Sequence, residues 1–195
     1  MKKVLALLFF ITAVLLPACT PVTPKYRTVN GCVIRPKTKC SKYDLSEAYL
    51  HAADLSGADL SDTNLQGADF SGADLTEADL HGTDLSEADL QAADLQGADL
   101  TLANLRDAKL READLSRVDL RGADLTWANL FWADLTDADL TGASLRNADL
   151  QRINLTGANL TNASMEHVDL RGAILTGADF HNANMTRSNL IASKL

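Results

Sequence analysis

Hydrophobic residues in this chain fall on a beat of five. From Leu45 to Leu195 every fifth residue is large and apolar: of 31 such positions 27 are Leu, and the others are Phe70, Met165, Phe180 and Met185. Two residues before each, 23 of the 31 are Ala, and the rest are mostly small or β-branched, as at Thr63, Thr83, Val118 and Ile153. Neither regular element has this period. Residues five apart on a helix are rotated by about 140°, and residues five apart on a strand lie on opposite faces. The chain must therefore change direction in every unit of five, with the same two residues of each unit facing inward. Units this small cannot bury a core alone and do so by stacking.

The polar positions supply the turn. The residue just before the large apolar one is Asp at 18 positions and Asn at seven, short acceptors that close local hydrogen bonds to the backbone. Ten of the 11 glycines stand two residues after it, from Gly57 to Gly177, as a type II turn with φ > 0 would ask. Where that place holds Glu77, Asp107 or Arg117, another turn type is expected. Proline is absent beyond Pro36, consistent with a backbone whose N–H groups are needed between coils.

Units such as Ala53-Asp54-Leu55-Ser56-Gly57 and Ala73-Asp74-Leu75-Thr76-Glu77 resemble the Ala-Asp-Leu-x-x motif of the pentapeptide-repeat family, and the resemblance covers about four-fifths of the chain. It implies an all-β fold, a right-handed quadrilateral β-helix with four pentapeptides per coil, Leu and Ala inward and three positions outward. On that count the 31 units make nearly eight coils, a rod on the order of 37 Å long at about 4.8 Å per coil. Phe70 and Phe180 occupy Leu positions and are expected in the core.

The chain ahead of the repeats divides into residues 1–18 and 19–40, with the β-helix expected over 41–195. Lys2 and Lys3 precede the apolar or small run 4–16, closed by Pro17-Ala18-Cys19, which reads as a signal peptide. Its 13 residues would span roughly 20 Å as a helix against about 30 Å of bilayer hydrocarbon, which makes a transmembrane helix the weaker reading. Leu16-Pro17-Ala18-Cys19 resembles a bacterial lipoprotein box. The resemblance implies lipidation of Cys19 by acyl chains such as palmitate, and Thr20 in the next place points to the outer membrane, at its periplasmic face or its surface. Ordinary secretory cleavage after Ala18 and an uncleaved anchor are the alternatives. Residues 20–28 carry Pro21 and Pro24 and read as an extended tether. The segment 25–42 has Lys25, Arg27, Arg35, Lys37, Lys39 and Lys42 and no acid; it is either a solvated linker or a surface for anionic head groups. Export makes Cys32 and Cys40 an expected disulfide, and Val29, Val33 and Ile34 suggest a plug over the first repeat.

Charge sharpens the functional reading. A net charge of −8 argues against non-specific binding to nucleic-acid backbone. Residues 43–100 hold 14 acids and no Lys or Arg, whereas 101–195 hold 12 acids and 10 Lys or Arg. An acidic rod is similar to the family members that mimic DNA and inhibit gyrase, so a DNA-mimic inhibitor of a topoisomerase is the alternative function; an exported address weighs against it. Four units per coil would place Arg106, Trp127, Arg146 and Arg187 on one side, and Arg111, Phe131, Trp132, Arg152 and Arg171 on the next, all at outward phases. Aromatics and Arg are the residue types of binding hot spots, so Arg106, Arg111, Trp127, Phe131, Trp132, Arg146 and Arg152 are the candidate contact residues, for an envelope protein or a glycan. The histidines at 51, 81, 167 and 181 are scattered, and no motif implies a catalytic, cofactor or metal site. The expected protein is a non-catalytic lipoprotein module, with a homodimer through its last coil as a further expectation.

Overall fold

The computed structural model describes residues 26–194. Parallel ladder pairs join residues 20 apart from Lys39↔Asp59 to Ile174↔Lys194, so four pentapeptides close one coil and the ladder runs through close to eight coils. Each side of a coil contributes one ladder residue between two turns, which leaves no room for a longer strand.

One unit shows where every backbone N–H goes, using Ala78 to Gly82 as the example. Ala78 N–H closes a turn on Leu75 O at 3.0 Å, Asp79 N–H reaches back one coil to Ala58 O at 2.8 Å, Leu80 N–H reaches forward to Asp99 O at 2.7 Å, and Gly82 N–H reaches Thr101 O at 2.9 Å. The fifth, His81 N–H, has no backbone partner and donates to Asp79 Oδ1 at 3.1 Å. That is the physical reason for the Asp column. All 18 Asp and seven Asn in this phase accept the N–H two residues on, so the strongly polar backbone is satisfied without extra strands.

The corner residue of every unit is left-handed whatever its side chain. Gly57 and Gly82 have φ of 61° and 63°, but Glu77, Asp107 and Arg117 have 56°, 57° and 57°, which corrects the expectation of a separate turn type at those three. Ladder bonds on both sides of each corner fix its geometry, and they outweigh the roughly 1–2 kcal/mol that an L-residue spends in this conformation.

Inside, the Leu columns are fully buried from Leu45 to Leu170, with Phe70 and Met165 in register among them. Thr38, Thr63 and Thr83 take the Ala place, and their hydroxyls donate to the carbonyls of Val33, Cys40 and Leu80 at 2.7, 2.9 and 2.7 Å. Phe180 and Met185 are only half-buried, because no further coil covers them among the described residues.

The first coil is closed by a hairpin of β1 (Thr28–Val29) and β2 (Cys32–Val33), turning through Asn30 and Gly31. Cys32 is disulfide-bonded to Cys40, with Cα atoms 5.6 Å apart. Cys32, Ile34 and Cys40 are buried and continuous with the Leu core, and Val29 packs at its edge. Val33 does not join this plug; it is 41% exposed, since successive strand residues point to opposite sides. Cys40 stands in the Leu phase and Lys39 already ladders to Asp59, so coil geometry begins a few residues before 41. Among the described residues the core and the side chains packed against it run from Val29 to Met185. Cys19 and the leader lie outside the described residues. No helix among those described is long and apolar enough to cross a membrane.

Candidate functional site

Stacking at 20-residue intervals converts distant sequence positions into vertical neighbours. Arg111, Phe131 and Arg171 share one column, and Trp132 and Arg152 share the adjacent corner column. The Arg111 guanidinium lies 4.7 Å from the Phe131 ring centre, and that of Arg152 lies 5.6 Å from the Trp132 ring. The two rings are 5.9 Å apart at 41°. The result is a continuous row, Arg111, Phe131, Trp132, Arg152, running across three coils. Each cation–π contact at an exposed site contributes about 0.5–1 kcal/mol.

Both tryptophans project from left-handed corners, with φ of 65° at Trp127 and 61° at Trp132, and they are 56% and 53% exposed. The fold does not ask for tryptophan there. Glycine meets the same corner at ten other units without steric cost, and a large indole left half in water contributes little to the core.

The remaining candidate arginines, Arg106 and Arg146, are tied down. Arg106 pairs with Asp124 at 3.4 Å, Arg146 with Glu166 at 3.0 Å, and Arg111 also with the neighbouring Glu112 at 3.0 Å. Trp127 N–H donates to Arg146 O at 3.0 Å, which sets them in adjacent coils of one side, but no ring contact joins Trp127 to Arg106 or Arg146 among the described residues. Arg171 is held by Asp169 at 2.6 Å. The structure therefore unites Arg111, Phe131, Trp132 and Arg152 and leaves Trp127, Arg106 and Arg146 on the neighbouring side.

Electrostatics follow these pairings. Hydrogen bonds from Arg121 and Arg171 hold Asp119 and Asp169 below the usual carboxylate range. At Asp124 burial pushes upward, but the Thr126 hydroxyl, its N–H and Arg106 together outweigh it and the carboxyl is also lowered. A backbone N–H and the Arg146 guanidinium do the same for Glu166. These are solvated acids kept ionised, not groups poised to exchange protons. His51 and His81 bridge coils through Ser71 at 2.9 Å and Thr101 at 2.7 Å. Among the described residues no three His, Cys, Asp or Glu are placed to hold a metal ion.

Sequence reading missed several exposed apolar side chains, Leu102 and Tyr49 the most exposed of them. Leu102 is 64% exposed at a corner, and Tyr49 is 63% exposed in the Asp phase beneath Arg27, whose guanidinium is 5.7 Å from its ring. Each breaks the rule of its column, and that is the signal that could have found them.

Comparison with known proteins agrees with the repeat. The pattern of pentapeptide repeats matches in eight copies over residues 44–82, 83–122, 123–162 and 153–190. Among solved structures, the chain is similar to HetL, a pentapeptide repeat protein involved in heterocyst differentiation regulation from the cyanobacterium Nostoc sp. strain PCC 7120, with 38% identity over 82% of this chain and 77% of that one and a TM-score of 0.46. It is also similar to the pentapeptide repeat protein Rfr23 from the cyanobacterium Cyanothece 51142, at 31% identity over 60% and 90% of the chains, TM-score 0.45. QnrB1, a plasmid-mediated fluoroquinolone resistance protein, shares 21% identity over 80% and 81%, TM-score 0.42. None of the curated proteins compared matches the chain. With its twenty-residue coils, inward Leu and Ala columns and the family's repeat pattern matched across residues 44–190, the chain belongs to the pentapeptide-repeat family and is a right-handed quadrilateral β-helix.

Proposed function

We propose that this protein is a non-catalytic binding module of the bacterial cell envelope, anchored through a lipidated Cys19 and contacting its partner with the side that carries Arg111, Phe131, Trp132 and Arg152. The observation that supports it is the half-exposed Trp132, set between Phe131 and Arg152. Rigid aromatics flanked by Arg are what interface hot spots are made of, and the β-helix presents them without any ordering cost on binding. The leader ending at Cys19 supports the envelope as the setting.

The contact is tested by crosslinking in cells from position 132, in the natural protein and in a Trp127→Ala, Trp132→Ala variant scored by pull-down. Loss of a discrete partner from the variant, with its β-type circular dichroism unchanged, is the expected outcome; the same partners in both would refute the contact. The setting is tested separately by membrane fractionation and by the mass of the mature N-terminus. An acylated Cys19 is expected, whereas an intact Met1 would favour the DNA-mimic reading.

A further inference from the structure

The later coils and the cap treat their cations differently. Six of the ten Lys and Arg in residues 101–195, Arg106, Lys109, Arg111, Arg121, Arg146 and Arg171, stand in ion pairs. At the cap, Arg27, Arg35, Lys37, Lys39 and Lys42 are all exposed, and none is ion-paired to an acid among the described residues. They form a collar. Arg27 leans over Tyr49 on one side, Lys37 lies along the next side, where its N–H donates to Ser56 O at 2.8 Å, and Lys39 ladders to Asp59 on a third.

Between these cations the cap carries apolar surface that the core does not use. Val33 is 41% and Tyr43 39% exposed, and Val33 shares a cleft of roughly 370 Å³ with Arg35, Lys37 and Lys39. Lysine, arginine, an aliphatic residue and a tyrosine on one end of a rigid body are the side chains that suit a bilayer interface: cations for lipid phosphates, and amphipathic rings and stems at head-group depth. Immediately beyond the collar the charge reverses, with 14 acids and no Lys or Arg over residues 43–100.

We propose that the collar of Arg27, Arg35, Lys37, Lys39 and Lys42 docks on an anionic lipid bilayer and stands the rod upright, cap against the head groups. The reversal of charge fixes the pose. Lying flat would press the acidic coils, some 14 Å of rod at about 4.8 Å per coil, against a surface of the same sign. Standing upright carries about half of them, from Glu77 on, beyond the Debye length of about 8 Å. The proposal takes its setting from the envelope reading, but the affinity it describes needs no acyl chain. If Cys19 is lipidated, the seven residues to Tyr26 reach at most about 25 Å, so the anchor would hold the collar within range of the surface.

The test uses the chain from residue 19 with Cys19→Ser, which contains the whole described body and cannot be acylated. It is sedimented with vesicles of phosphatidylcholine alone and of phosphatidylcholine with phosphatidylglycerol. Binding to the anionic vesicles alone is expected near 0.1 M salt and should vanish towards 1 M. Lys37→Gln, Lys39→Gln and Lys42→Gln together should weaken it about a hundredfold, at roughly fivefold per cation, with the circular dichroism unchanged. The pose has its own probe. Trp127 and Trp132 are the only two tryptophans and sit roughly 20 Å from the collar at about 4.8 Å per coil, so a quencher attached to lipid head groups should leave their fluorescence alone. Equal binding to neutral vesicles, indifference to the three substitutions, preference for a soluble polyanion such as heparin over vesicles, or quenched tryptophans would each overturn the proposal. An unacylated mature N-terminus would instead remove the anchor and leave the vesicle result standing.

Discussion

One carboxylate oxygen closes the turn in 18 of the 31 units of this protein, and in several of them the fold favours its ionised form. Asp44 and Asp69 take the hydroxyl and N–H of Ser46 and Ser71, and those bonds hold both carboxyls below the usual range; Asp119 and Asp169 are lowered chiefly by their arginines. A group whose pKa is depressed on folding stabilises the folded state above the unfolded value, near 3.9 for Asp, and loses that contribution as pH falls through the folded value. Urea midpoints should therefore be flat between about pH 7 and 5 and fall below about pH 4; a midpoint unmoved at pH 3 would contradict the role given to these acids. That role was legible in the sequence, since a short acceptor in one phase has few other uses. The left-handed Glu77, Asp107 and Arg117 were not, because propensity reads a corner locally, whereas the ladders above and below decide it.

At the scale of the element, the cap differs from the coils it covers. A coil is held by its neighbours on both sides, but the β1–β2 hairpin meets the rod on one side only and relies on the Cys32–Cys40 bridge. With the two cysteines eight positions apart in sequence, the bridge is worth about 2–3 kcal/mol on the chain-entropy model. Reduction, or Cys32→Ser with Cys40→Ser, should lower stability by about that amount. Hydrogen exchange should rise over residues 27–42 while the coils around Leu110 keep their protection. Uniform loss of protection along the rod would show instead that the cap nucleates the whole. The pairing and the plug could be read from residue types; the outward turn of Val33 could not, because a two-residue strand gives no alternation to count.

The whole molecule is a rod whose core is monotonous and whose surface is not. The sequence alone foretold the Leu and Ala columns, and four units per coil then named the two sides on which Arg106, Trp127 and Arg146, and Arg111, Phe131, Trp132 and Arg152, would lie. What it left open was which of these touch. The side-chain geometry answers that: Asp124 and Glu166 hold Arg106 and Arg146, while Arg152 lies over Trp132 and Arg111, though paired with Glu112, lies over Phe131. The twenty-residue coil also makes position on the surface a matter of counting. Removing residues 121–125 deletes one complete unit, so every Leu downstream still lands in a Leu column. Everything after the cut, however, is turned by a quarter revolution. Phe131 would come to rest beside Arg106 rather than Arg111, and Trp127 beside Leu102. Removing 81–100 takes out a full revolution and restores the alignment. The two shortened proteins should both give β-type circular dichroism, but only the one lacking 81–100 should still yield the crosslink from position 132. In such a fold, insertions and deletions behave less like damage than like the setting of a dial.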